Sequence, residues 1–261
     1  SLNVELGSEL SQSLKRLAQE QGVTLFMLLL ASFQTLLHRY SGQNDIRVGV
    51  PIANRNRVET EGLIGFFVNT QVLRAEFDLQ MTFDELLQQV KQAALGAQAH
   101  QDLPFEQLVE ILQPERSLSH SPLFQVMFNH QIVMKDETRC LPGLMVESLS
   151  WDSHTAQFYL SLDTFEDEEG LGASLNYATV LFDRQSIERF ARHWRTLLEG
   201  VVQRSGYRVA ELPLLSQKEQ QQMVCDWNRT EADYPSNQCI HHVIEAQAEK
   251  SPDATAVIFG E

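Results

Sequence analysis

Leu2, Val4 and Leu6 alternate with polar residues at the amino end of the chain, which predicts a strand. Ser8 stands where a helix cap belongs. Leu10, Leu14, Leu17 and Ala18 then make one apolar stripe, and Gly22 ends it. The run from Thr24 to Tyr40 is the most apolar stretch. Its length reaches only the lower end of a bilayer span, about 17 residues. Ser32, Gln34, Thr35 and His38 interrupt it, so it reads as a buried helix that ends near Gly42. "DIRVGVPIA" reads as a short buried strand, and "GLIGFFVNTQVLRAEF" as a long one rich in β-branched and aromatic residues.

The next helix is strongly marked. Thr82 and Glu85 make a capping box, and Phe83, Leu86, Leu87, Val90, Ala94 and Ala97 share a face. "FEQLVEIL" after Pro104 predicts a shorter helix. "SPLFQVMFNH" predicts a strand, and residues 132–143 a loop. Two alternating strands around the acidic turn "EDEEG" predict a β-hairpin. Asp183 then caps a helix whose apolar face is Ile187, Phe190, Trp194, Leu197, Leu198 and Val201. From about residue 206 to 235 the chain turns polar and aperiodic. This segment reads as an extended linker that clasps its neighbours through Leu212, Leu214, Leu215 and Trp227. Residues 236–261 offer one helix, a turn at Ser251-Pro252 and the start of a strand, too little to bury a core. Strands and helices intermix up to about residue 204. The expected fold class is therefore α/β, a mixed sheet flanked by helices.

Composition narrows the function. The chain has 261 residues and a formal charge of −15. Such an acidic surface repels phosphate backbones, so no nucleic acid is expected as a partner. No membrane is expected either, because the one apolar run is better used in a core. Cys140, Cys225 and Cys239 are widely spaced and form no CxxC pair. That spacing suggests neither a zinc site nor a disulfide framework and fits a reducing, cytoplasmic setting.

Few residues present chemistry. No phosphate-binding glycine loop, GxSxG elbow or HExxH occurs. Gly65 precedes an aromatic run, where a glycine often marks close approach of a backbone or ligand. Asn69 follows it, either as an amide aimed into a cavity or as a hydrogen-bonded core amide. His100 and Asp102 lie two residues apart at a helix end and point to different sides, so Asp102 is expected to cap the next helix. Arg116, Ser119, His120 and Ser121 stand just before a strand. They either line a site or satisfy loop backbone groups. Adjacent His241 and His242 are the residue type that acyl transfer uses.

"VGVPIANRNRVETEGLIGFFVNTQVLR", "AHQDLPFEQLVEILQPERSLSHSPLFQVMF" and "NYATVLFDRQSIERF" together resemble the C-terminal lobe of a nonribosomal peptide synthetase condensation domain. "LPLLSQKEQQQMVCDWNRTEADYP" is similar to the linker that follows such a domain. "CIHHVIEAQAEKSPDATAVIF" is similar to the start of an adenylation domain. The resemblance implies a chloramphenicol acetyltransferase-like lobe over residues 1–205, a linker over 206–235 and an adenylation-domain beginning over 236–261. It implies amide-bond formation between aminoacyl or peptidyl thioesters held on donor and acceptor carrier proteins by 4'-phosphopantetheine, with no cofactor or metal bound directly. The implied partners are those two carriers, the N-terminal lobe of the same condensation domain and the adjacent adenylation domain. The family signature HHxxxDG belongs to the N-terminal lobe.

In "HHVIEAQ", Ala246 and Gln247 stand where that signature needs Asp and Gly. His241 and His242 are therefore read as ordinary helix residues. The catalytic motif is expected upstream of Ser1, no catalytic residue is expected in this chain, and the chain alone is expected to be inactive. Gly65, Asn69, Ser119 and Ser121 are the candidate tunnel-lining residues. The family block ahead of "PLFQV" often reads R-D-x-S-R-N, whereas this chain has Arg116, Ser117, Ser119, His120 and Ser121. That departure motivates the alternative of a non-catalytic scaffold or docking module.

Overall fold

The turn chemistry at the amino end sets up the helical layer of the computed structural model, which describes residues 1–114, 121–132, 155–166, 170–233 and 237–260. Gly7, at φ 75°, turns strand β1 (Leu2–Glu5) into helix α1 (Ser8–Glu20). The cap is therefore Gly7 rather than Ser8, and Ser11 Oγ donates to the Gly7 carbonyl at 2.6 Å. Gly22, at φ 62°, ends α1, and the Thr24 hydroxyl accepts from Met27 N–H to start α2 (Leu25–Ser41). Thr82 and Glu85 form the predicted capping box of α4 (Phe83–Ala99), and Asp183 accepts from Ser186 N–H at the start of α6 (Arg184–Gln203).

Among the described residues, six strands form one sheet. They are β1, β2 (Asp45–Ile52), β3 (Asn69–Glu76), β4 (Val126–Ile132), β5 (Leu160–Glu166) and β6 (Leu171–Tyr177), in the order β1-β6-β5-β4-β2-β3. β2 and β5 run parallel to β4, and the remaining pairs are antiparallel, so the sheet is mixed. The predicted hairpin is β5–β6. Helix α3 (Val58–Glu61) is a single short turn between β2 and β3, and α5 (Phe105–Leu112) follows α4.

The strands send Val48, Val50, Leu73, Ala75, Phe128, Leu160, Leu162, Ala173 and Leu175 inward. These side chains and the inward faces of α1, α2, α4 and α6 make one core. Its central polar contact is the Trp194 indole donating to Ser32 Oγ at 3.0 Å, while Ser32 Oγ donates to the Leu29 carbonyl. β2 reaches β4 closely because Gly49 lies opposite Met127 and leaves room for the Phe124 ring.

Contacts divide the chain into Ser1–Ser216 and Gln217–Glu261. Within the first unit, Val209 and Leu212 are buried, and Arg39 Nη1 donates to both their carbonyls at 2.9 and 3.1 Å. Thr82 and Arg208 form an isolated β-bridge. Residues 206–216, the first part of the segment that reads as a linker, are thus bound into this unit. The second unit holds α7 (Gln217–Gln221), a π-helical turn over Gln222–Asp226 and α8 (Ile240–Lys250), with no buried side chain in any of them. No single helix among the described residues is long and apolar enough to cross a membrane.

Two expectations need correction. The run Gly62–Val68 reads as strand because it is aromatic and β-branched, yet the strand starts only at Asn69. Asp102 does not cap α5, because the cap position is Pro104 and its helix receives a side chain from elsewhere. Of the expected loop at 132–143, Ile132 ends β4 and the remainder lies outside the described residues.

Candidate functional site

The segment between β2 and β3 is organised by one arginine. Asn54, at φ 52°, turns the chain out of β2, a left-handed conformation that asparagine tolerates better than most residues. Arg55 then donates from Nη1 to the carbonyls of Thr60 and Leu63, the latter at 2.8 Å, and from Nη2 to that of Gly65 at 3.3 Å. Its guanidinium also lies 4.3 Å from the centre of the Phe67 ring, a cation–π distance. Carbonyls at the end of a short helix and in the loop after it need donors, and this side chain serves three at once. With the backbone held, Leu63, Ile64, Phe66 and Val68 point outward. Phe66 is 90% exposed and Ile64 fully so. A contiguous apolar surface of this kind marks a contact site.

Asn69 locks this loop to the turn between α4 and α5. Its Nδ2 donates to the carbonyls of Gln101 (3.3 Å) and Leu103 (2.9 Å), and its Oδ1 accepts from Thr70 N–H (2.9 Å) and Phe105 N–H (3.1 Å). Two donors and two acceptors are the whole capacity of a carboxamide. Asn69 therefore caps α5 from another strand, and its amide is spent inside the fold. Asn56 adds a second tie by donating to Asp102 Oδ1 at 2.9 Å, and Gln71 a third by donating to the Ala97 carbonyl.

Gly65 sits in the exposed loop, where a Cβ would meet only the Phe67 ring, at 3.1 Å. No other backbone approaches it among the described residues. Gly65 and Asn69 thus belong to one hydrogen-bonded block. Ser121 belongs to another group, in the turn that leads into β4, where its carbonyl accepts from Gln125 Nε2 at 3.2 Å. Nearby Leu123 has φ 69°, a conformation that costs a bulky residue about 1–3 kcal/mol. Ser119, Arg116 and His120 lie outside the described residues.

Strand alternation also builds a feature absent from the candidate set. Leu160 and Leu162 face the core, so Ser161 and Asp163 face the opposite side of the sheet. Asp163 accepts from Asn129 Nδ2 (3.3 Å, Oδ1) and Asn176 Nδ2 (3.0 Å, Oδ2) on its two neighbouring strands. The three side chains line a recess of about 250 Å³ with Pro51, Met127 and Phe158. The polar residues alternating with Leu160 and Leu162 are the signal in the sequence that points to this face.

His241 and His242 stand exposed in the first turn of α8, rings 4.0 Å apart, in the second unit. His100 is exposed and ends α4 through its backbone.

A sequence model described as the condensation domain matches residues 1–224. Gramicidin S synthase 2 of Brevibacillus brevis is 42% identical over 97% of this chain, which spans 6% of that protein's length. Among solved structures, holo-AB3403, a four-domain nonribosomal peptide synthetase bound to AMP and glycine, aligns with 98% of this chain and 20% of its own. The TM-score is 0.82 at 25% identity. The X-domain in its complex with OxyB from teicoplanin biosynthesis aligns over 83% of this chain and 48% of that one, with TM-score 0.75 and 26% identity. The mixed sheet and its helices are the chloramphenicol acetyltransferase-like fold of these neighbours. On a family match that takes in all six strands and the Arg55–Asn69 block, this chain belongs to the condensation-domain family.

Proposed function

We propose that residues 1–205 are the C-terminal lobe of a nonribosomal peptide synthetase condensation domain, 206–235 the linker and 236–261 the beginning of an adenylation domain. The observation that carries the lobe reading is the exposed apolar loop of Leu63, Ile64, Phe66 and Val68, ordered by Arg55 yet covered by no described residue. A surface held in place and left apolar suits a second lobe of the same domain. The alignment to under half of the X-domain chain supports the same division.

In this reading the assembled domain joins two thioesters carried on 4'-phosphopantetheine arms. The acceptor amine attacks the donor carbonyl, a C–N bond forms, the C–S bond breaks, and the amine proton goes to the leaving thiol. The C-terminal lobe supplies the tunnel wall that orients the arms and keeps water away. Gly65, Ser119 and Ser121 belong to that wall, and Asn69 holds it in shape. The acid–base histidine belongs to HHxxxDG in the N-terminal lobe. His241 and His242 have no part in the reaction. The donor and acceptor carriers and the adenylation domain are the other partners, and the setting is cytoplasmic.

The test is to mix this chain alone with two loaded carrier proteins and look for dipeptide by mass spectrometry. No product is expected. Turnover that His242→Ala abolishes would overturn the assignment. A second reading, a docking module without chemistry, is favoured by the X-domain neighbour, which was solved in complex with OxyB. A synthetase whose condensation survives deletion of the whole lobe would support it.

A further inference from the structure

The first turn of α8 brings together three side chains with metal-binding chemistry. Cys239, His241 and His242 each offer one ligand atom, these atoms lie within 4.8 Å of one another, and all three residues are exposed. Cys239 occupies the cap position but makes no side-chain hydrogen bond to the helix. Ser, Thr, Asp or Asn would cap there with the side chain; the Cys239 carbonyl accepts from His242 and Val243 N–H, but its thiol takes no part in the cap. The imidazoles are folded onto each other at a 58° tilt.

We propose that Cys239, His241 and His242 form a three-ligand site for a borderline or soft divalent metal ion of the Zn²⁺ class. One thiolate and two imidazoles are the ligand types that select Zn²⁺ over Mg²⁺ or Ca²⁺, which prefer oxygen. Bonds of about 2.0–2.3 Å place tetrahedral ligands roughly 3.3–3.8 Å apart. Glu245 and Glu249 on the same helix, and the net charge of −15, draw cations toward the surface. Three protein ligands leave the fourth position to water. Binding releases a proton from the cysteine, so affinity falls as pH falls.

The probe is Co²⁺ alone, added to the 261-residue chain under a phosphine reductant and followed by absorbance, with Zn²⁺ as competitor. One equivalent is expected to give a thiolate-to-metal charge-transfer band and tetrahedral d–d bands, both removed by Zn²⁺. Cys239→Ser is expected to abolish the charge-transfer band, and His241→Ala and His242→Ala each to weaken binding at least tenfold. Cys225→Ser with Cys140→Ser leaves the signal intact. Circular dichroism checks that each variant keeps its helices. Absence of a one-equivalent band overturns the proposal, as does a charge-transfer band that survives Cys239→Ser or an affinity unchanged by either histidine substitution.

Discussion

Replacing Asn69 by alanine removes a carboxamide that serves four backbone groups on two segments. The Thr70 contact is local and easily replaced by water. The other three join β3 to the α4–α5 turn across more than thirty residues of chain. A net worth of about 0.5–1.5 kcal/mol per hydrogen bond, discounted for water reaching the exposed carbonyl of Leu103, gives a loss of roughly 1–3 kcal/mol. For a unit of this size each kcal/mol lowers Tm by about 2–4 °C, so thermal unfolding of the chain should shift down by roughly 2–12 °C. Asn69→Asp sharpens the test. It keeps the acceptor for Phe105 N–H but turns a carboxylate oxygen toward the carbonyls of Gln101 and Leu103. It should therefore be at least as destabilising at neutral pH, despite being isosteric. An unchanged Tm for Asn69→Ala, with condensation lost in the full synthetase, would refute this reasoning and give the amide to the substrate.

Three further outcomes are expected. Gly49→Ala sets a Cβ 2.4 Å from the Phe124 ring and 2.6 Å from the Met127 sulfur, and overpacking should lower stability by about 1–3 kcal/mol in urea unfolding. Gly65→Val should change stability little, by about 0.5 kcal/mol, because the loop is exposed and the new side chain meets only the Phe67 ring. In the full synthetase it should still cut condensation while adenylation continues. His130, half-buried with Nδ1 2.9 Å from Thr164 Oγ1, has its pKa lowered chiefly by burial, with Glu166 opposing. Its contribution to stability is complete above about pH 6.5 and is lost as pH falls through the lower folded value. Tm should therefore fall as the pH drops below about 6.5, and His130→Gln should flatten that slope.

What the sequence revealed follows the range of each interaction. The Thr82–Glu85 box, the Asp183 cap and the β5–β6 hairpin depend on residues a few positions apart, and local pattern reading finds them. Gly62–Val68 has strand composition, but its conformation comes from the three hydrogen bonds of Arg55. No local propensity contains that. The cap of α5 came from Asn69, 36 residues away, while Asp102 next to the helix was engaged by Asn56. The Asp163 triad needed the register that sets Asn129 opposite Asp163 across β4 and β5. The family blocks nevertheless located the region, because the residues that build the loop and its clamp are themselves part of "ANRNRVETEGLIGFFVNT" and "HQDLPFEQLV".

The most direct test of the account is complementation between lobes. This chain is combined with a separately produced N-terminal lobe carrying HHxxxDG and two loaded carrier proteins, and dipeptide is quantified by mass spectrometry. The account predicts product only when both lobes are present, and its loss when the second signature histidine of the N-terminal lobe becomes alanine. Dipeptide formed by the N-terminal lobe without this chain, or none from two lobes that bind each other, would contradict it.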